Sequence, residues 1–470
     1  MPKSRATEWA IVGLATASVA VGATAAVVFR EPLLSAAGLE RHGGEPTVAA
    51  SVFEPPTEPP SPPDNLAPPA PLPSGPAPSA AALQERLAAL DVSTIVTPED
   101  TPAELSYEII DVASGEVLAS LNADKHLIPA SNTKTLTSVA VMNGIDPQTR
   151  FKTTVVSPDE STIVLVGGGD PLLSVEPVEA GNYPSPASLR ELAVATAEAL
   201  KSQGLTTLAL GYDMSYFQGP GWATTWPEGY RSQVTEISAL WADEGRVGGV
   251  RSRTPALAAA ELFAAQLTEL GIVVDGAPAA MTASGGEIAS VESLPVQILV
   301  EQAMLRSNNS FTEVLGLQLA KATGHPTTFA GSTAAIEEQL RSMELWDEGA
   351  HLDDASGLSR SNRFSASMLA RVNLHLLENP RLSGIIDGLP VAGVTGTLND
   401  RFTHEIAAPA RGIARAKTGT LSNVSSLGGT TLTADGAVVV YGIIANGQAS
   451  AWGSKVWEDQ IVGTLTGCGC

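Results

Sequence analysis

The chain has 470 residues, 44% of them hydrophobic and 16% charged, enough for two or three domains with real cores rather than a disordered polymer. Its 50 acids against 27 bases leave a net charge of −23, which excludes nucleic acid as a partner by simple repulsion. Two cysteines, Cys468 and Cys470, exclude a disulfide framework or a four-cysteine zinc site.

Lys3 and Arg5 precede an uncharged run from Trp9 to Phe29, closed by Arg30. Its 21 residues suffice to cross a hydrocarbon layer of ~30 Å as a helix. Ala23-Thr24-Ala25 is also a cleavage pattern, so residues 1–30 read as a membrane anchor or a signal peptide. Either one exports the remainder. Residues 31–80 are a linker whose proline-dense part, from Glu54 to Ala80, reads as a semi-extended polyproline II spacer.

From Ala81 the pattern turns globular. AALQERLAAL predicts a short helix, and LSYEIIDV with EVLASL predicts a hairpin turning at Ala113-Ser114-Gly115. A helical segment is expected from Ser131 towards Pro147. At the far end GIARAKTG, SSLGGTTLT and AVVVYGIIA are strand-like, with Ala434-Asp435-Gly436 turning the last two, and SKVWEDQIVGTLTG predicts a closing helix. An antiparallel sheet built from both chain ends and flanked by helices is an α+β arrangement. Between 151 and 280 short β-branched runs (KTTVVS, TIVLVGG, TTLALG, GIVVDG) alternate with glycine turns, which suggests one or more inserted β-rich domains. The main domain would then comprise 81–150 and 281–470.

Ser131-Asn132-Thr133-Lys134 opens the predicted helix, where positions i and i+3 share a face and the lysine amine can reach the serine hydroxyl. A desolvated lysine can take the proton that makes serine a nucleophile. The bland alternative is an N-cap serine and a surface lysine. The chain has only eight lysines, however, and Ser131 is the only serine three residues ahead of one. A second lysine stands in Lys417-Thr418-Gly419-Thr420 on a predicted strand, where the glycine would leave one face open to a substrate backbone. Ser307-Asn308-Asn309 supplies a third element after a helical run; Ser120-Leu121-Asn122 matches its spacing but not its context.

The ordered trio Ser-x-x-Lys, Ser-x-Asn and Lys-Thr-Gly resembles the penicillin-binding protein and serine β-lactamase pattern. The long interval from Ser131 to Ser307 is similar to that of D-alanyl-D-alanine carboxypeptidases and endopeptidases of the penicillin-binding protein 4 type, which carry large insertions there. The resemblance runs from about residue 90 to 466 and includes Gly167-Gly168-Gly169-Asp170-Pro171, Asp354-Ala355-Ser356-Gly357-Leu358-Ser359-Arg360 and LPVAGVTGTLNDRF at 389–402. It implies a penicillin-binding protein/β-lactamase-like transpeptidase domain with the insertion above. It further implies that Ser131 is acylated, that Lys134 is its base, and that Ser307 and Asn309 relay a proton and orient the substrate. Lys417 would hold the terminal carboxylate, with Thr418, Gly419 and Thr420 as neighbours and the Ser131 and Thr420 amides as oxyanion donors. The implied partners are peptidoglycan stem peptides and β-lactams, at an extracytoplasmic location facing the cell wall and without a cofactor. A β-lactamase or esterase on the same scaffold, or a wall-binding sensor that does not turn over, are the alternatives.

The six histidines show no metal-ligand spacing, and no metal site is expected. Asp353-Asp354 reads as a loop with one capping aspartate, and Asp170 as part of a tight turn. Trp222 and Trp226 could line a substrate cleft or pack an aromatic loop. Cys468 and Cys470, two positions apart, could form only a strained disulfide, which leaves free thiols or a surface modification as the open readings.

Overall fold

The computed structural model describes residues 72–97 and 102–470. The Trp9–Phe29 run and the linker up to residue 71 lie outside the described residues. Among those described, no helix is long and apolar enough to cross a membrane.

Both ends of the described chain meet in one five-stranded sheet. Helix α1 (Ala80–Ala88) leads to β1 (Glu104–Asp111) and β2 (Val117–Leu121), the expected hairpin. The C-terminal half supplies β11 (Arg415–Leu421), β12 (Val424–Leu432) and β13 (Val438–Asn446), followed by the closing helix α10 (Ala451–Thr466). The order is β11-β12-β13-β1-β2, antiparallel throughout, with Tyr107 opposite Ile443. The unbroken apolar run of β13 reflects its central place, because both of its faces are covered. Val439, Tyr441 and Ile443 pack with Leu83, Trp457 and Ile461 on one side, while Val440 packs with Ile110 and Ala370 on the other. Period-two alternation thus sorts one strand between two cores.

The second side of the sheet carries the helices. Helix α2 (Thr133–Gly144) is buried almost all round, from Thr133 to Met142. It is enclosed by α5 (Val296–Arg306), α6 (Asn309–Ala322), α7 (Phe329–Ser342), α8 (Ala366–Glu378) and α9 (Ser383–Asp387). Leu136, Val139, Leu299, Phe311, Leu315, Ile336 and Leu369 form their shared core.

A separate sheet comes from the intervening chain. It is built from β3 (Lys152–Asp159), β4 (Thr162–Val166), β5 (Thr207–Asp213), β8 (Val273–Val274), β9 (Ala279–Ala280) and β10 (Gly286–Glu292), in the order β10-β3-β4-β5-β8, with β9 also on β5. The β4–β5 pairing is parallel, and α3 (Leu189–Ser202) and α4 (Pro255–Glu269) cover the sheet through Leu192, Ala193 and Phe263. Ser188 and Glu191 form a reciprocal capping box at the start of α3. The edge strand β10 carries this sheet past residue 280. A small hairpin, β6 (Arg246–Val247) with β7 (Val250–Arg251), stands apart. Cys468 and Cys470 are joined as a disulfide, and Cys468 is fully buried against the C-terminal core.

Candidate active site

Ser131 sits in a single 3₁₀ turn, Ala130–Asn132, that runs into α2. Ala130 has φ of +47°, a left-handed conformation that is costly for a residue with a Cβ and that is held by contacts all round the turn. Thr133 Oγ1 donates to Ala130 O at 3.0 Å. Ser426 Oγ on β12 donates to Pro129 O at 2.6 Å and accepts from Asn132 Nδ2 at 2.8 Å. The turn is therefore fastened to the sheet on both sides of Ser131.

Two glycines make that fastening sterically feasible. A Cβ on Gly419 would lie 2.6 Å from Pro129 O and 3.1 Å from the Ser131 nitrogen. The bare face of this strand therefore receives the Ser131 turn, where the sequence had suggested an open face for substrate. Gly357, with φ of +87°, approaches from the other side, and a Cβ there would collide with Ala130 O.

Lys134 Nζ is 3.0 Å from Ser131 Oγ, 2.7 Å from Asn309 Oδ1 and 2.6 Å from Ser356 O. The last two atoms can only accept, so they occupy two N–H groups and leave the third position of the nitrogen facing the serine. Burial lowers the Lys134 pKa to about 7, against the opposing pull of Asp354 and Glu313. Asn309 begins α6, and its Nδ2 donates to Gln233 O at 3.0 Å. Ser307, the residue after α5, is left-handed at φ of +50°, and its Oγ accepts from Lys417 Nζ at 2.8 Å. Lys417 also donates to Thr418 O at 2.8 Å. Lys417 is completely buried; desolvation first, and the Lys134 charge second, push its pKa well below the usual lysine value. Lys417 thus reaches the cleft-lining Ser307 from a fully buried position.

All the sequence-selected elements thus converge. A cleft of about 450 Å³ is lined by Ser131, Ser307, Asn309, Thr418 and Thr420, and further by Tyr230, Gln233 and Arg401. Gly419 sits behind its wall, and Ser120 lies on the exposed outer strand β2, where its amide donates to Gln84. Among the described residues no group of acids, histidines or cysteines could hold a metal ion.

The sequence left several supporting groups without a role. Asp354 is fully buried and accepts from Gly357 N, Ser359 N, Asn362 Nδ2 and Trp226 Nε1, which shapes the loop carrying Ser356. That is the capping aspartate, with a reach beyond a simple turn. Glu313 accepts from the amides of Ala355 and Ser356, and burial raises its pKa to about 8. Its signal was present: a lone acid four residues past Asn309 within an apolar helix. Thr397, in the LPVAGVTGTLNDRF stretch, meets Thr418 Oγ1 at 2.8 Å. Trp226 is packing, 4% exposed and edge-on to both Trp222 and Phe329. Asp170 caps its own turn through Leu172 N at 2.8 Å.

The D-Ala-D-Ala carboxypeptidase 3 (S13) family model matches residues 88–249 and 248–467. The chain belongs to this family of serine D-Ala-D-Ala carboxypeptidases. A carboxypeptidase of Mycobacterium tuberculosis is 33% identical over 411 residues, covering 84% of this chain and 85% of the relative. The carboxypeptidase DacB of Mycolicibacterium smegmatis is 31% identical over 428 residues, covering 88% and 90%. The fold is that of the crystal structure of penicillin-binding protein 4 from Haemophilus influenzae, with a TM-score of 0.67 at 19% identity over 83% of this chain and 99% of that one. Family membership and fold agree with the α+β, penicillin-binding protein-like reading of the sequence.

Proposed function

We propose that this S13-family chain removes the terminal D-alanine from peptidoglycan stem peptides through an acyl-enzyme on Ser131. The observation that carries the assignment of roles is the contact of the buried, low-pKa Lys134 amine with the Ser131 hydroxyl. Neutral Lys134 takes the hydroxyl proton as Ser131 Oγ bonds to the carbonyl carbon of the penultimate D-Ala. The carbonyl oxygen becomes an oxyanion, received by the backbone N–H groups of Ser131 and Thr420. Collapse breaks the C–N bond, and Ser307 passes a proton to the departing amine and recovers one from the lysine network. Water then attacks the ester as Lys134, neutral again, takes its proton; collapse breaks the Oγ–C bond, Lys134 returns the proton to Ser131 Oγ, and the shortened peptide leaves.

Lys417 acts through Ser307, holding its hydroxyl in place for that transfer. Thr418 and Thr420, which do line the cleft, meet the terminal carboxylate. A β-lactam enters as a mimic of D-Ala-D-Ala and acylates the same serine. The wall-facing location completes the reading, with residues 1–30 as anchor or signal, the proline-dense chain ahead of residue 72 as spacer, and an inserted unit that runs from 151 past the expected boundary of 280 to the end of β10 at Glu292.

The test follows release of D-Ala from a peptide ending in D-Ala-D-Ala by the full-length protein, beside Ser131→Ala. Repeated turnover by the parent alone supports the reading. Persistent penicillin labelling of Ser131→Ala sinks the choice of nucleophile. Turnover confined to a crosslinked peptide dimer would make the enzyme an endopeptidase.

A further inference from the structure

A second cavity, of about 400 Å³, opens beside the catalytic cleft and shares Gln233, Ser307 and Asn309 with it. Three guanidinium groups line it, Arg246, Arg251 and Arg306, against a single carboxylate, Glu244. Arg246 and Arg251 belong to the β6–β7 hairpin, while Arg306 ends α5 immediately before Ser307. Glu244 is only loosely engaged, 3.8 Å from Arg246 and 3.9 Å from Arg306. Arg251 is partly buried and donates to neutral acceptors alone: Thr235 Oγ1 at 2.8 Å, Ser310 Oγ at 3.3 Å and Ser232 O at 3.4 Å. Among the described residues it makes no ion pair. Burial, followed by the charge of Arg246, lowers its pKa from the usual arginine value.

Gathering three like charges round a cavity costs free energy unless an anion enters. The arrangement is the more telling in a chain with 50 acids to 27 bases, where partners for arginine are plentiful. Guanidinium groups match carboxylates in a planar, two-pronged geometry that lysine lacks. We infer that this pocket is an anion subsite of the cleft, which holds a carboxylate of the peptide substrate other than its C-terminal one. The inference rests on the carboxypeptidase reading above. Because the pocket borders Ser307 and Asn309, a carboxylate seated there fixes the register of the peptide relative to Ser131. Binding energy from a remote group is thereby applied to orientation at the reacting carbonyl.

The experiment uses the full-length protein and two peptides ending in D-Ala-D-Ala, identical except for a free or an amidated side-chain carboxylate upstream. The reading is the ratio of their kcat/KM values, which cancels any shared loss from disturbing Ser307. The parent should favour the acidic peptide by about tenfold, the scale of one charge-assisted pair. In the double variant Arg246→Gln with Arg306→Gln the ratio should fall to near one. A parent that hydrolyses both peptides equally overturns the subsite, as does a preference that survives the double substitution. Inorganic phosphate serves as a competing probe: if it changes the parent's rate on both peptides alike and leaves the ratio at one, the pocket takes free anions and not substrate. Failure to hydrolyse either peptide counts instead against the carboxypeptidase reading.

Discussion

Lys134 Nζ stands 3.0 Å from Ser131 Oγ with its other two directions taken by Asn309 Oδ1 and Ser356 O. The pair comes from one helix, but the acceptors that orient the amine come from two distant parts of the chain. Reactivity of the serine therefore depends on three segments being in register at once.

The rate of acylation should rise with pH through about 7, because only the neutral Lys134 amine can accept the serine proton and burial sets its pKa there. Below that value the amine is protonated and acylation declines. Stopped-flow acylation by a chromogenic β-lactam across pH 5 to 9 measures this profile. Lys134→Arg, which stays protonated, should lose on the order of 10²–10⁴-fold at every pH. A flat profile in the parent would remove Lys134 from the role of base.

Gly419→Ala should impair acylation without unfolding the protein. The new methyl would be 2.6 Å from Pro129 O, so the nucleophile turn must move away from β11. A displacement of about 1 Å at the attacking atom is expected to cost about 100-fold in acylation. Circular dichroism and the penicillin acylation rate, read together, separate a moved turn from a lost fold. Acylation at the parent's rate would show that the contact is slack.

Arg401→Met should be costly to stability. Arg401 lies 2.9 Å from Glu458 and 2.7 Å from Asp459, and both acids are buried. Removing the cation leaves two carboxylates facing each other out of water, a loss of about 3–5 kcal/mol. Urea denaturation gives the value. The triple change of Arg401, Glu458 and Asp459 to apolar residues should recover most of it.

Trp226→Phe keeps the ring but deletes the 2.7 Å donation to Asp354. An expected loss of about 1–3 kcal/mol follows from weakening the solvation of a buried carboxylate. Since Asp354 shapes the loop that presents Ser356 O to Lys134, the pH midpoint of acylation should shift as well. An unchanged midpoint would uncouple the aromatic loop from the site.

By itself the sequence determined the frame and pointed to Ser131 and Lys134, the groups proposed to react. Ser131 and Lys134 are legible because a helix places i and i+3 together whatever surrounds it. The strand runs at 104–111 and 438–446 are legible because period and apolar length are local properties. Only the tertiary structure decided what the site's environment does. The low Lys134 pKa arises from burial by helices remote in sequence, and the placing of Lys417 under Ser307 spans 110 residues. The bare face of Gly419 could be assigned to the nucleophile turn only once Pro129 was seen against it. Likewise Arg246, Arg251 and Arg306 are ordinary surface residues in the sequence and become one cavity wall only when the β6–β7 hairpin is laid beside the end of α5. Desolvation and like-charge proximity are sums over neighbours in space, and local sequence does not contain those neighbours.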